Sequence, residues 1–197
     1  MSWPNRITVL RLLLVPVFVL LVLSAADAAM YRYAALALVV VIGICDAADG
    51  IIARRTGRVT KIGSLLDPLA DKALMISALV ILSKEGVLSP EHPNLYLPYL
   101  VSVPLVSRDL LILVGAAVVF FLAGVFHALP SASGKAATVL QFILITAMLA
   151  SPDFVRWFPE ATWYALYAIW IATIVLGLVS LLGYIRTGSK LLSAGGH

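Results

Sequence analysis

The sequence predicts an all-α, polytopic membrane protein with six transmembrane helices and both termini in the cytoplasm. Three observations carry this reading. Of the 197 residues, 62% are hydrophobic and only 12% charged, about half the charged share of a soluble domain. Six windows approach the roughly 20 mostly apolar residues that a helix needs to cross a bilayer core. The charges fall between those windows, and the basic ones collect at alternate connections.

The first window, 8–25, opens with Asn5, Thr8 and Arg11 at helical spacing, polar groups that mark a working face. It also imitates a secretory leader, because Arg6 and Arg11 precede the apolar run Leu12 to Leu23 and Ala26-Asp27-Ala28 has the look of a cleavage site. The polar face argues against removal. The second window covers 31–54. The third, 68–83, is short alone, and its helix is expected to begin before Pro68. The fourth, 97–125, is long and offers Pro104 as a place to kink. The fifth and sixth cover 134–151 and 161–185. Trp3, Trp157 and Trp163 lie near span ends and read as interfacial anchors. Neither a linker nor an internal repeat divides the chain, so residues 1–197 are expected to form a single domain.

Loop charge sets the orientation. The second connection carries Arg54, Arg55, Arg58 and Lys61, and the tail carries Arg186 and Lys190, so these face the cytoplasm. The alternate connections hold Arg32, then Lys84 with Glu85 and Glu91, then Arg156 with Asp153 and Glu160, with little positive excess. The formal charge of +4 is scattered among apolar spans and forms no phosphate-binding stripe, which excludes nucleic acid as a partner. Cys45 is the sole cysteine, so no intrachain disulfide forms. His92, His127 and His197 are isolated and receive no role. The compact chain, without a transit-like extension, is expected in a bacterial inner membrane.

Four of the ten acidic residues, Asp46, Asp49, Asp67 and Asp71, cluster where the second and third spans meet the cytoplasm. An Asp inside a span costs roughly 2.5–3.5 kcal/mol even on the mildest scale, and four such groups also repel one another. Positive charge must compensate them. Asp46 and Asp49 share one helix face, as do Asp67 and Asp71. A short connection containing Gly57 sets the two helices side by side, so the four carboxylates can converge. Hard oxygen donors in that number suit Mg²⁺, Mn²⁺ or Ca²⁺. A pair of such ions clamps a diphosphate and assists displacement at phosphorus. Gly50, Ala53 and Gly63 remove bulk from the same faces, which serves either nucleotide access or helix packing. Two other readings compete: an ion-pair network with Arg54, Arg58 and Lys72, and the ion pathway of a divalent-cation transporter.

Asp46-Ala-Ala-Asp49-Gly50-Ile-Ile-Ala53-Arg54, eight residues, then Gly63-Ser-Leu-Leu-Asp67-Pro-Leu-Ala-Asp71 resembles the signature of the CDP-alcohol phosphotransferases. Eight specified residues at fixed spacing over 26 positions make the match specific, and Asn5, Thr8 and Arg11 resemble the family's N-terminal pattern. The resemblance implies a six-helix membrane enzyme, a homodimer, with its active site open to the cytoplasmic leaflet. It implies that Asp46, Asp49, Asp67 and Asp71 bind metal, as two Mg²⁺ or Mn²⁺ ions, and that Asp71 is the general base. It further implies that Gly50, Ala53, Arg54 and Gly63 line the CDP site. The expected reaction transfers the phosphatidyl group of CDP-diacylglycerol to an acceptor hydroxyl and releases CMP.

Polar residues in the fourth and fifth spans are expected to select the acceptor: Arg108 and Lys135 as ligands, with Asp109, Thr138 and Gln141 in support. Arg108 and Asp109 are neighbours and are expected to point in different directions. Gly134-Lys135-Ala-Ala-Thr138-Val-Leu-Gln141 resembles a segment shared by phosphatidylglycerophosphate synthases and cardiolipin synthases of the CDP-diacylglycerol type. The glycerophosphate enzymes typically add an Arg and a Lys where this chain has Ala116 and Ala137. A dianionic phosphomonoester is held best by several charge-assisted hydrogen bonds. The missing cations therefore favour phosphatidylglycerol as acceptor, with glycerol 3-phosphate as the alternative.

Overall fold

The computed structural model describes the backbone of residues 3–56, 61–123 and 132–194, with side chains at 10–45, 69–115, 117–118 and 132–186. The described residues are helical throughout their long elements and contain no strand. The helices are α1 (Trp3–Leu23), α2 (Ala29–Thr56), α3 (Lys61–Leu82), α4 (Tyr99–Ala123), α5 (Ala132–Trp157) and α6 (Pro159–Ala194), with a single 3-10 turn, Ser24–Ala26, after α1. Each coincides with one apolar window. As expected, α3 starts well before Pro68, while α4 continues as one helix through Pro104. Among the described residues, Ala132–Trp157 and Pro159–Arg186 are long and apolar enough to cross a bilayer.

The helices close a ring in the order α1, α2, α5, α6, α4, α3, with α3 also touching α5 across the middle. Sequence explains why these two are central. On α3, Ala70, Leu74, Ala78, Leu79 and Leu82 form a stripe at helical spacing and are no more than 2% exposed. On α5, Ala137, Gln141, Leu144, Ile145, Met148 and Leu149 form the matching stripe. The outer helices reverse the soluble pattern. Leu13, Leu20, Leu100, Leu111, Ile171 and Leu182 are exposed, while Arg11, Arg32, Arg108 and Asp109 are buried. Outward apolar faces with inward polar groups suit a hydrocarbon solvent, in which charges must turn to the bundle interior.

Among the described residues α2 and α3 do not touch directly, and α1 and α5 pack on both. The stretches in which the two acid-bearing helices are expected to meet, 46–56 and 61–68, lie outside the described side chains. The contact of α2 with α5 is close: a Cβ at Gly43 of α2 would fall 2.5 Å from the Phe142 ring of α5. The Phe142 ring seats against this glycine, and a larger residue there would have to displace it, three residues before Asp46.

The α3–α4 connection tucks Val87, Leu88, Leu95 and Leu97 beneath itself. Leu97 N–H donates to the Leu82 carbonyl at 2.8 Å, and Gly86 takes φ of 68° in the left-handed region. Phe158 alone links α5 to α6 along the chain. Pro159 opens α6, where its missing N–H costs nothing, and Glu160 in the first turn suits the helix dipole.

Near this turn Arg32, at the start of α2, reaches Asp153 of α5. Arg32 Nη2 donates to Asp153 Oδ1 at 2.7 Å and Nη1 to Oδ2 at 3.0 Å. Arg32 Nη1 also donates to the Leu149 carbonyl at 2.7 Å, and the Tyr33 hydroxyl donates to Asp153 Oδ1 at 2.9 Å. Counted in the sequence as a loop charge, Arg32 is a helical residue only 3% exposed.

Candidate active site

The signature residues fall on three helices. Asp46, Asp49, Gly50, Ala53 and Arg54 lie in α2, Gly63, Asp67 and Asp71 in α3, and Asn5, Thr8 and Arg11 in α1. Helix through 46–54 and 61–71 gives the i, i+3 and i, i+4 spacing that puts each Asp pair on one face. The side chains of Asn5, Thr8, Asp46, Asp49, Gly50, Ala53, Arg54, Gly63 and Asp67 lie outside those described, so their convergence is not part of the geometry. Asp71 is half-buried on α3. Arg11 is 7% exposed on α1, the helix packed on α3.

One residue beyond Asp71 the geometry is fully described. Lys72 Nζ lies 2.9 Å from Oδ1 of Asp109, a carboxylate with no exposed surface in the middle of α4. Oδ1 also accepts from Arg108 Nη1 at 2.8 Å, and Oδ2 accepts from Gln141 Nε2 of α5 at 2.9 Å. Arg108 Nη2 continues to the Ser180 hydroxyl of α6 at 2.9 Å. One carboxylate thus joins α3, α4 and α5, and its arginine adds α6. Only the amide nitrogen of Gln141 can donate to a carboxylate, so this contact fixes the amide's orientation.

Such burial is tolerable because the charges satisfy each other. An isolated carboxylate in this setting would carry a desolvation cost of several kcal/mol. In the contacts described, two cations, Lys72 and Arg108, meet the one carboxylate of Asp109. Arg108 Nε and Gln141 Oε1 are buried without a hydrogen-bond partner among the described residues. One donor and one acceptor therefore remain uncommitted beside the cluster.

Of the residues expected to meet the acceptor, the structure brings Arg108, Asp109 and Gln141 together. Lys135 is exposed near the start of α5, and the Thr138 hydroxyl donates to the Gly134 carbonyl of its own helix at 3.2 Å. Arg108 and Asp109 do not diverge as expected. Adjacent Cβ atoms do point apart on a helix, but the long arginine side chain curls back to its neighbour. Sequence reasoning weighed Lys72 only as a counter-charge for the acid cluster and passed over Ser180. The available signal for Ser180 was a lone hydroxyl in a strongly apolar span.

The family profile described as CDP-alcohol phosphatidyltransferase matches residues 1–178. The CDP-diacylglycerol–glycerol-3-phosphate 3-phosphatidyltransferase of Pseudomonas fluorescens is 31% identical over 209 aligned residues, covering 100% of this chain and 95% of that protein. The enzyme of the same name from Escherichia coli K12 is 28% identical over 182 residues, covering 92% of each. A putative cardiolipin synthase of Mycobacterium bovis is 35% identical over 109 residues, 55% of this chain and 46% of that protein.

Proposed function

The chain belongs to the CDP-alcohol phosphatidyltransferase family, and on that premise we propose that it moves the phosphatidyl group of CDP-diacylglycerol to glycerol 3-phosphate, releasing CMP. The observation that carries this acceptor is alignment length. The relatives matched from end to end are named for glycerol 3-phosphate, whereas the cardiolipin synthase similarity covers about half of each chain. The two cations that meet Asp109, Lys72 and Arg108, support an anionic acceptor.

In this reading Asp46, Asp49, Asp67 and Asp71 hold two Mg²⁺ ions, or Mn²⁺ in their place. The donor set fits, since four carboxylates supply the hard oxygens both metals prefer and helical spacing pairs them face by face. Bound there, the ions would supply charge neutralisation for the diphosphate and for the departing CMP. The chain's own groups do the rest. Gly50, Ala53, Arg54 and Gly63 line the nucleotide site. Asp71 takes the proton of the acceptor hydroxyl as its oxygen bonds to the β-phosphorus and the bond from that phosphorus to CMP breaks. Arg108 and Lys135 hold the acceptor phosphate, and Asn5, Thr8, Arg11, Asp109, Thr138 and Gln141 support the site.

The six helices are read as six spans of a bacterial inner membrane, with both termini and the site on the cytoplasmic side and two copies forming a homodimer. The bacterial relatives, the outward apolar faces and the loop charges support this placement. A second acceptor, phosphatidylglycerol, is favoured by Ala116 and Ala137. Ala137 is only 2% exposed in the α5 core and offers no charge to a phosphomonoester.

Purified protein given CDP-diacylglycerol, Mg²⁺ and each acceptor in turn decides between them. The expected product carries a terminal phosphomonoester, and phosphatidylglycerol stays unreacted. Cardiolipin formed from phosphatidylglycerol, with glycerol 3-phosphate inert, would reverse the acceptor assignment. Absence of CMP release with either acceptor, together with divalent-ion flux into liposomes, would replace the enzyme by a transporter.

A further inference from the structure

We propose that Asp109 is a positioning residue for the transfer, acting through Lys72 to fix the rotation of the α3 turn that carries Asp71. The inference rests on the reading of Asp71 as the base. Adjacent residues on a helix point about 100° apart, so a side chain anchored at 72 sets the direction in which 71 faces. The anchor is unusually firm. Asp109 is wholly buried, Lys72 is 13% exposed along its side chain, and the two meet at 2.9 Å. Arg108 and Gln141 in turn hold both Asp109 oxygens, so the acceptor of the Lys72 bond cannot swing.

Stability alone does not account for this arrangement. Replacing a buried ion network by apolar side chains of similar volume is often neutral or stabilising. A buried carboxylate with both oxygens held by side chains of three helices instead favours one arrangement of the helices it joins. Here it joins α3, bearing Asp71, to α4 and α5, on which the acceptor-facing residues Arg108 and Lys135 lie. Base and acceptor site thereby share one fixed reference.

The test uses full-length enzyme in detergent micelles, with CMP release measured against each substrate and a thermal melt of the same preparation. Asp109→Asn and Lys72→Gln are each expected to lower kcat about 100-fold, the scale of a small misplacement of reacting groups, with KM for CDP-diacylglycerol within about threefold. The double variant should be no slower than either single one, since both remove the same link. Lys72→Arg, which keeps a cation at that position, should recover most of kcat. If Asp109→Asn yields no folded protein, Lys72→Gln and Lys72→Arg carry the same test. Folded variants with a lowered melting temperature but kcat within twofold of the parent would overturn the proposal, as would losses that multiply in the double variant. Full turnover by Asp71→Asn would instead remove the underlying reading of Asp71 as the base.

Discussion

Two buried arginines, Arg32 and Arg108, are each 3% exposed and each bonded to an aspartate, yet they are used differently. Arg32 and Asp153 form a closed account: two parallel bonds between guanidinium and carboxylate, a third to the Leu149 carbonyl, a fourth from Tyr33, and charges that cancel. The Asp153 side chain is 45% exposed, so water shares its charge. Arg108 shares its aspartate with Lys72 and, among the described residues, has an Nε without a hydrogen-bond partner. Gln141 and Asp153 stand twelve residues apart on α5, about 18 Å along the helix. The contrast teaches that one buried arginine can close a two-helix tie with a half-exposed aspartate, while the other joins a buried carboxylate shared among α3, α4 and α5.

The largest effect should come at the ligand-bearing end. Asp71→Asn, or removal of metal with a chelator, should cut phosphatidyl transfer by about 10³-fold or more, within the range for losing a general base, with the melt of the Asn variant little changed. A smaller effect of another kind is expected at the other end. Arg32→Ala should cost about 2 kcal/mol, as for lost hydrogen bonds to a charged group. That corresponds to a fall of roughly 4–8 °C in Tm for a chain of this size, with kcat per folded molecule unchanged. The smallest belongs to Tyr33→Phe, which removes an exposed hydroxyl bond but keeps the ring 4.7 Å from the guanidinium. Its cost should stay below about 1 kcal/mol. If Arg32→Ala lowers kcat while sparing the melt, the division between tie and site collapses.

Much of the fold was legible because hydrocarbon imposes a simple rule: an apolar stretch of sufficient length must be helical, and six such stretches gave the six helices. The signature acids were legible because their spacing is local to two helices. What was hidden depends on reach and on distant partners. Helical periodicity gives the direction of a Cβ but not where a long side chain ends, so the return of Arg108 to Asp109 could not be foreseen. Lys72 and Asp109 stand 37 residues apart and Arg108 and Ser180 72 apart, with no pattern linking them. Arg32 and Asp153 each looked like a connection charge, and only the ring order brings α2 beside α5.

That last pair has a consequence for biogenesis. Its partners are separated by 121 residues of chain, which a ribosome adding about 5–20 residues per second takes roughly 6–24 s to supply. During that interval α2 is already made while its arginine lacks a counter-ion. Its place at the very beginning of the helix lets the guanidinium snorkel to lipid headgroups and water meanwhile. Assembly is then completed late, when the arriving Asp153 draws the arginine away from the bilayer surface.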